Sequence, residues 1–146
     1  MNLLKKCTAE FIGTFVLVFF ACGTAAVVGC SAENGTGYLL TALAFGLVIV
    51  AMAYSIGNIS GCHINPAVSI AMLVSGKLSV KEFIGYLIAQ FAGATAGAAA
   101  LMAYAKMQFS EGEILKALEQ ALLTYCELDT LAMVFIWEYF YKECNK

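Results

Sequence analysis

The sequence predicts an all-α membrane protein with three transmembrane helices, one re-entrant half-helix and an uncertain helical C-terminal tail. Of its 146 residues, 62% are hydrophobic and only 12% are charged, and a soluble domain of this length cannot bury so much apolar surface. The uncharged residues form runs long enough to cross a bilayer. The only proline, Pro66, interrupts one of these runs within a short polar stretch. A soluble helical bundle is the alternative, and the lengths of the apolar runs disfavour it.

The first span is predicted at about residues 8–30. Residues 11–32 carry no charge, and at about 1.5 Å per residue such a helix crosses the roughly 30 Å hydrocarbon core. A cleaved signal peptide is the alternative, because Lys5 and Lys6 precede the apolar run. The run is longer than an ordinary signal core and Glu10 stands at its edge, so the sequence favours a transmembrane helix.

The second and third spans are predicted at about residues 36–57 and 83–105. The third contains Gly85, Gly93 and Gly97 at positions that share one helix face. Small residues on one face allow helix backbones to approach closely. The pattern therefore predicts that the third span packs against other helices through this face.

The stretch "SGCHINPAVS", residues 60–69, lies in a segment (58–76) that is too short and too polar to span the membrane. Non-helical backbone at membrane depth requires surrounding protein or a water-filled cavity. Asn65 is a good N-cap and Pro66 suits the first turn of a helix. A loop followed by a half-helix is thus predicted, with the partial positive charge of the helix N-terminus facing a cavity, where it repels cations and protons. A capped helix in an ordinary loop is the alternative.

The density of charge changes near Lys106, which predicts a boundary between residues 1–105 and a divergent tail, residues 106–146. The first part holds seven charged side chains and the second holds eleven. Each ionised side chain at membrane depth costs about 2.5–3.5 kcal/mol on insertion scales. A remnant of a fourth span, an amphipathic surface helix and a disordered segment all remain open for the tail.

Lysine placement predicts a multi-pass protein of the cell membrane with a cytoplasmic N-terminus. Lys5, Lys6, Lys77 and Lys81 fall on one side of a three-span layout, whereas the loop between the first two spans carries only Glu33.

Several functional classes are disfavoured by composition. No basic patch indicates nucleic-acid binding, and one histidine with six cysteines lacking a C-x-x-C pair indicates no metal site. No nucleophile–base pair or phosphate loop is visible, so neither an enzyme nor a cofactor is predicted.

Three segments, residues 9–25, 42–69 and 85–98, resemble the first three spans of aquaporins, the major intrinsic protein family. The resemblance covers about residues 5–105, the N-terminal half with one Asn-Pro-Ala motif. It implies a channel in the lipid bilayer for passive transport of water or a small neutral solute such as glycerol.

The resemblance also implies roles for individual residues. Asn65, Pro66 and Ala67 match the pore signature triplet, and the carbonyl groups of Gly61, Cys62, His63 and Ile64 match a ladder of hydrogen-bond acceptors. Phe45 matches a position of the selectivity filter and resembles the water-selective branch, and Glu10 and Gln90 match polar residues that support the pore loops. Alternatives remain for three of them: Phe45 packed among leucines, His63 as a hydrogen-bonded loop residue without a gating role, and Glu10 reaching interfacial water.

The sequence departs from the family pattern in two respects. With one proline and no arginine, it contains neither a second Asn-Pro-Ala triplet nor the filter arginine that follows it in the family. The family is an inverted repeat with two opposed half-helices, so we expect a truncated channel that is incomplete as a single chain. The alternative is a non-conducting fragment that only associates with membrane helices, as a homo-oligomer or with a full-length relative, through the Gly85, Gly93 and Gly97 face. A head-to-tail pair of two copies is disfavoured by the lysine bias.

Overall fold

The computed structural model describes residues 2–31, 33 and 35–108 of the chain. These residues form helices and no strands, and three of the helices are long and apolar enough to cross a membrane by length and composition. A fourth, shorter helix lies between the second and third spans. The predicted all-α fold with three spans and one short helix is confirmed.

The first span is the continuous helical segment Leu3–Val28. It comprises α1 (Leu3–Val16), a π-helical segment (Leu17–Cys22) and α2 (Gly23–Val28). The side chain of Asn2 caps its start by accepting a hydrogen bond from the Leu4 N–H. Gly29, with a φ of 82°, ends the helix in a conformation that glycine adopts without steric cost.

The second span, α3, comprises Gly35–Ser60 and runs antiparallel to the first. Thr41 near its start donates to the Gly29 carbonyl at 3.0 Å, whereas Ile56 near its end lies beside Gly13. The helix continues three residues beyond the predicted end at residue 57. It ends at Gly61, whose φ of +91° is incompatible with a further helical turn.

The short helix, α4, comprises Pro66–Val74. Asn65 is its N-cap, in extended conformation, and accepts a hydrogen bond from the Ala67 N–H at 2.8 Å. Pro66 occupies the first turn, where its missing N–H leaves no bond unmade. Nine residues give about 14 Å of helix, roughly half the thickness of the hydrocarbon core.

The third span, α5, comprises Val80–Gln108 and runs parallel to α1. A Cβ atom at Gly93 would overlap the Phe11 carbonyl oxygen, and one at Gly97 would lie 2.8 Å from the Phe15 carbonyl oxygen. The glycine face therefore packs against α1 of the same chain. The prediction of close helix packing is confirmed, but the prediction that this face binds another chain is wrong, because α1 already covers it.

The predicted boundary at residue 106 is not marked by a break in the helix, since α5 continues to Gln108. The alternatives for the tail concern residues that, from position 109 onward, lie outside the described residues. The division into residues 1–105 and 106–146 stays a prediction.

Candidate functional site

The side chain of Glu10 is the centre of the polar site between the three spans. It is 0% exposed, so the alternative in which it reaches interfacial water is wrong. One carboxylate oxygen accepts from Ser60 Oγ at 2.6 Å and from the His63 N–H at 2.9 Å. The other accepts from the Ile64 N–H at 2.6 Å and from Gln90 Nε2 at 2.8 Å. Four hydrogen bonds thus converge on the carboxyl group of Glu10, two at each oxygen.

These contacts place the loop well inside the protein. Glu10 and Gln90 lie two to three helical turns inside the starts of α1 and α5, and both contact the loop or the start of α4. The chain thus enters between the spans from the end at which α3 finishes, and α4 leads it back towards the start of α5. This path is that of a re-entrant segment.

The backbone of the loop is held in an uncommon conformation. Gly61, Cys62 and Ile64 have φ values of 91°, 53° and 41°, and each non-glycine residue in this left-handed region costs roughly 1–3 kcal/mol. Hydrogen bonds offset this cost, because Ser60 Oγ accepts from the Cys62 N–H at 3.1 Å and Glu10 accepts from the next two N–H groups. The loop conformation therefore depends on Glu10.

The carbonyl oxygens of the loop differ from its N–H groups in their hydrogen bonding. Within the described part of the chain, no hydrogen bond reaches the carbonyl oxygens of Gly61, Cys62, His63 or Ile64. Buried carbonyl groups are nearly always paired with protein or water. The described residues therefore supply no donor to these four successive carbonyl groups.

His63 is buried, with 6% of its surface exposed. Its Nδ1 atom lies 3.1 Å from Ser69 Oγ, and its ring contacts the ring of Tyr86 edge to face at 5.1 Å between centroids. His63 is therefore a hydrogen-bonded residue of the loop, and its backbone N–H is one of the groups that Glu10 orients.

The residues of the site that the sequence analysis missed include Tyr86 and Ser69. Tyr86 is 1% exposed and donates to the Ser60 carbonyl oxygen at 2.6 Å, which joins the end of α3 to α5. Ser69 is 0% exposed and accepts from Gln90 Nε2 at 3.0 Å. A signal was present for both, because Tyr86 is four residues before Gln90 and Ser69 is four residues after Asn65, so each shares a helix face with a recognised residue.

Phe45 lies in α3 and is half-buried. It packs against two apolar clusters, one containing Ile56 and Ile64 and the other containing Val18 and Leu101. Its neighbours Leu43 and Leu47 are exposed instead. The structure therefore places Phe45 in the core between the spans, outside the hydrogen-bond network of Glu10.

The chain matches known proteins over most of its length. The profile of the family described as Major intrinsic protein matches residues 1–139. Aquaporin Z of Brucella melitensis biotype 1 is 50% identical over 112 residues, which are 75% of this chain and 49% of the relative. Aquaporin Z of Rhodopseudomonas palustris is 48% identical over 97 residues, which are 66% of this chain and 40% of the relative.

The chain thus spans about half the length, or less, of these curated relatives. The family profile nevertheless covers nearly the whole chain, including residues beyond the predicted boundary at 106. Three helices of spanning length and a short fourth helix agree with a multi-pass membrane protein. On this evidence, the chain belongs to the major intrinsic protein family of membrane channels, which are not enzymes.

Proposed function

We propose that residues 1–105 form one half of an aquaporin-type channel that passes water or small neutral solutes passively across the membrane. The observation that carries the proposal is the ladder of carbonyl oxygens at residues 61–64, which make no hydrogen bond to the described part of the chain. Glu10 holds the neighbouring N–H groups, so the peptide units cannot turn their oxygens back into the protein. A row of acceptors replaces the hydration of a neutral molecule as it moves.

The start of α4 supplies the other half of the proposed recognition. The N-terminus of a helix carries about half a positive charge, and Asn65 and Pro66 stand at this end. Asn65 uses its side-chain oxygen to cap α4. A positive helix end with acceptors beside it favours neutral oxygen compounds and disfavours cations.

We also propose that this sequence does not form a complete pore as a single chain. It holds one proline and no arginine, so a second triplet and the filter arginine must come from elsewhere, such as a full-length relative. The burial of the second span supports this incompleteness. Only 11% of an apolar 18-residue stretch of this span is buried within the chain, against 44% of the corresponding stretch of the first span. We expect Phe45 to narrow the assembled pore, so that water passes in preference to larger solutes.

The test is osmotic shrinkage of proteoliposomes followed by stopped-flow light scattering. The chain alone is expected to match empty vesicles. A chimaera in which residues 1–105 replace the matching half of Brucella Aquaporin Z is expected to shrink its vesicles faster than empty ones. A mercurial reagent should block the chimaera at Cys62, which is partly exposed in the loop, and Cys62→Ser should remove the block while Cys30→Ser leaves it.

Two outcomes would overturn the proposal. A chimaera that folds and inserts but shrinks no faster than empty vesicles would favour the non-conducting fragment. Fast, mercurial-sensitive shrinkage with the chain alone would show that it assembles a complete pore by itself.

A further inference from the structure

Ser69 connects the side chain of Gln90 in the third span with the side chain of His63 in the loop. Its hydroxyl oxygen lies 3.0 Å from Gln90 Nε2 and 3.1 Å from His63 Nδ1. Ser69 itself is 0% exposed. A hydroxyl group has one proton to donate, so the direction of these two hydrogen bonds is determined by counting protons.

The count starts at Glu10. Its carboxylate is an acceptor only, so the Gln90 atom that lies 2.8 Å from it must be the amide nitrogen. The second amide proton of Gln90 then points to Ser69 Oγ. Ser69 accepts this bond, and its own proton is left for His63 Nδ1.

His63 Nδ1 is therefore an acceptor, and in the neutral imidazole the proton sits on Nε2. The opposite tautomer places a proton on Nδ1, so that Ser69 Oγ receives two donors and its own hydroxyl proton has no acceptor in the described residues. A buried donor without a partner is unfavourable. The network around Glu10 thus selects one tautomer of His63.

A Cβ atom at Gly61 would be 3.3 Å from His63 Nε2, which places this nitrogen beside the first residue of the carbonyl ladder. Among the described residues, the only fully buried side-chain polar atom without a hydrogen bond is Gln90 Oε1. His63 Nε2, which makes no hydrogen bond there, is therefore not fully buried.

We propose that Ser69 is a positioning residue that holds His63 as the Nε2–H tautomer, so that one N–H donor stands among the carbonyl acceptors of residues 61–64. A solute that both donates and accepts hydrogen bonds, as water and alcohols do, finds both kinds of partner at this point. This last step rests on the proposed channel function, whereas the tautomer itself follows from the hydrogen bonds.

The chain has a single histidine, which permits a direct test. Protein labelled with ¹⁵N-histidine and reconstituted in lipid bilayers at neutral pH has one Nδ1 and one Nε2 resonance. We expect a protonated Nε2 and an unprotonated Nδ1, with the Nδ1 frequency displaced by the accepted hydrogen bond. A protonated Nδ1, or frequencies averaged between the two tautomers, in the wild-type protein would overturn the proposal without any variant.

Variants then assign the effect to Ser69. Ser69→Ala is expected to move the Nδ1 frequency towards that of a histidine averaging both tautomers, and Ser69→Thr, which keeps the hydroxyl group, to restore it. Ser75→Ala is the matched control, because Ser75 is an exposed serine at the end of α4 whose Oγ donates only to the Ala71 carbonyl oxygen. Unchanged frequencies in a folded Ser69→Ala protein would show that Ser69 does not position the ring. The tautomer is read without transport, so a chimaera that fails to conduct leaves this result intact.

Discussion

The carboxylate of Glu10 and the amide of Gln90, 80 positions apart in sequence, are joined by a hydrogen bond of 2.8 Å in the interior of the protein. This bond connects the first span to the third directly behind the loop of residues 61–64. Because Glu10 also accepts two N–H groups of that loop, the positions of both helices and the loop are mutually dependent. A change at Glu10 should therefore affect stability and transport together.

Glu10→Gln is expected to destabilise the protein. The neutral amide has one acceptor oxygen, and its NH₂ group would face N–H donors that the carboxylate now satisfies. Each buried donor left without a partner costs about 1–3 kcal/mol, so the unfolding transition in an SDS titration should move to lower SDS. Glu33→Gln, at an exposed carboxylate between the first two spans, is the control. Equal transitions for the two variants would contradict the central role of Glu10.

Gly93→Ala is expected to separate α1 from α5. Its new Cβ atom would overlap the Phe11 carbonyl oxygen, and backbone cannot move aside as a flexible side chain can. Gly46→Ala in α3 is matched in chemistry and meets no atom within 4 Å. Thermal unfolding in detergent should show a lower midpoint for Gly93→Ala, and an unchanged or higher one for Gly46→Ala, because alanine favours helix by about 1 kcal/mol. A Gly93→Ala protein as stable as wild type would show that the helices do not pack in this register.

Tyr86→Phe removes the hydroxyl group that donates to the Ser60 carbonyl oxygen at 2.6 Å. The ring and its packing against His63 are kept, so the expected loss is that of one hydrogen bond, about 1 kcal/mol. Tyr54→Phe, at a side chain 89% exposed, is the control and should be neutral. The same SDS titration measures both, and a neutral Tyr86→Phe would indicate that this bond does not stabilise the end of α3.

Orientation in the membrane is tested by labelling single cysteines in a cysteine-free background. Glu33→Cys, between the first two spans, should react with a membrane-impermeant maleimide on intact cells. Lys77→Cys, between α4 and α5, is exposed in the protein but should react only after the cells are permeabilised, because lysine-bearing loops stay in the cytoplasm. The reverse pattern would place the N-terminus outside.

The helices and the short α4 were predictable because their signals are local. An uncharged run of spanning length and an Asn-Pro pair before an apolar segment each act within a few turns, and the cap at Asn65 agrees with the prediction. The π-helical segment Leu17–Cys22 had no such signal. Close packing through the glycine face was predicted correctly, but the helix that packs there is α1 of the same chain and not a helix of another chain. Sequence spacing identifies a packing face without identifying what packs against it.

What the sequence determined by itself is the set of elements: three spans, a re-entrant loop and a helix that begins at Pro66. The tertiary structure decided how polar groups distributed along those elements combine. The contacts of these groups that join different helices exist only because α1 and α5 run parallel and the end of α3 lies beside both. The residues joined by these hydrogen bonds lie 21 to 80 positions apart along the chain. Hydrogen bonds require approach to about 3 Å, which the packing of helices provides and local sequence does not reveal.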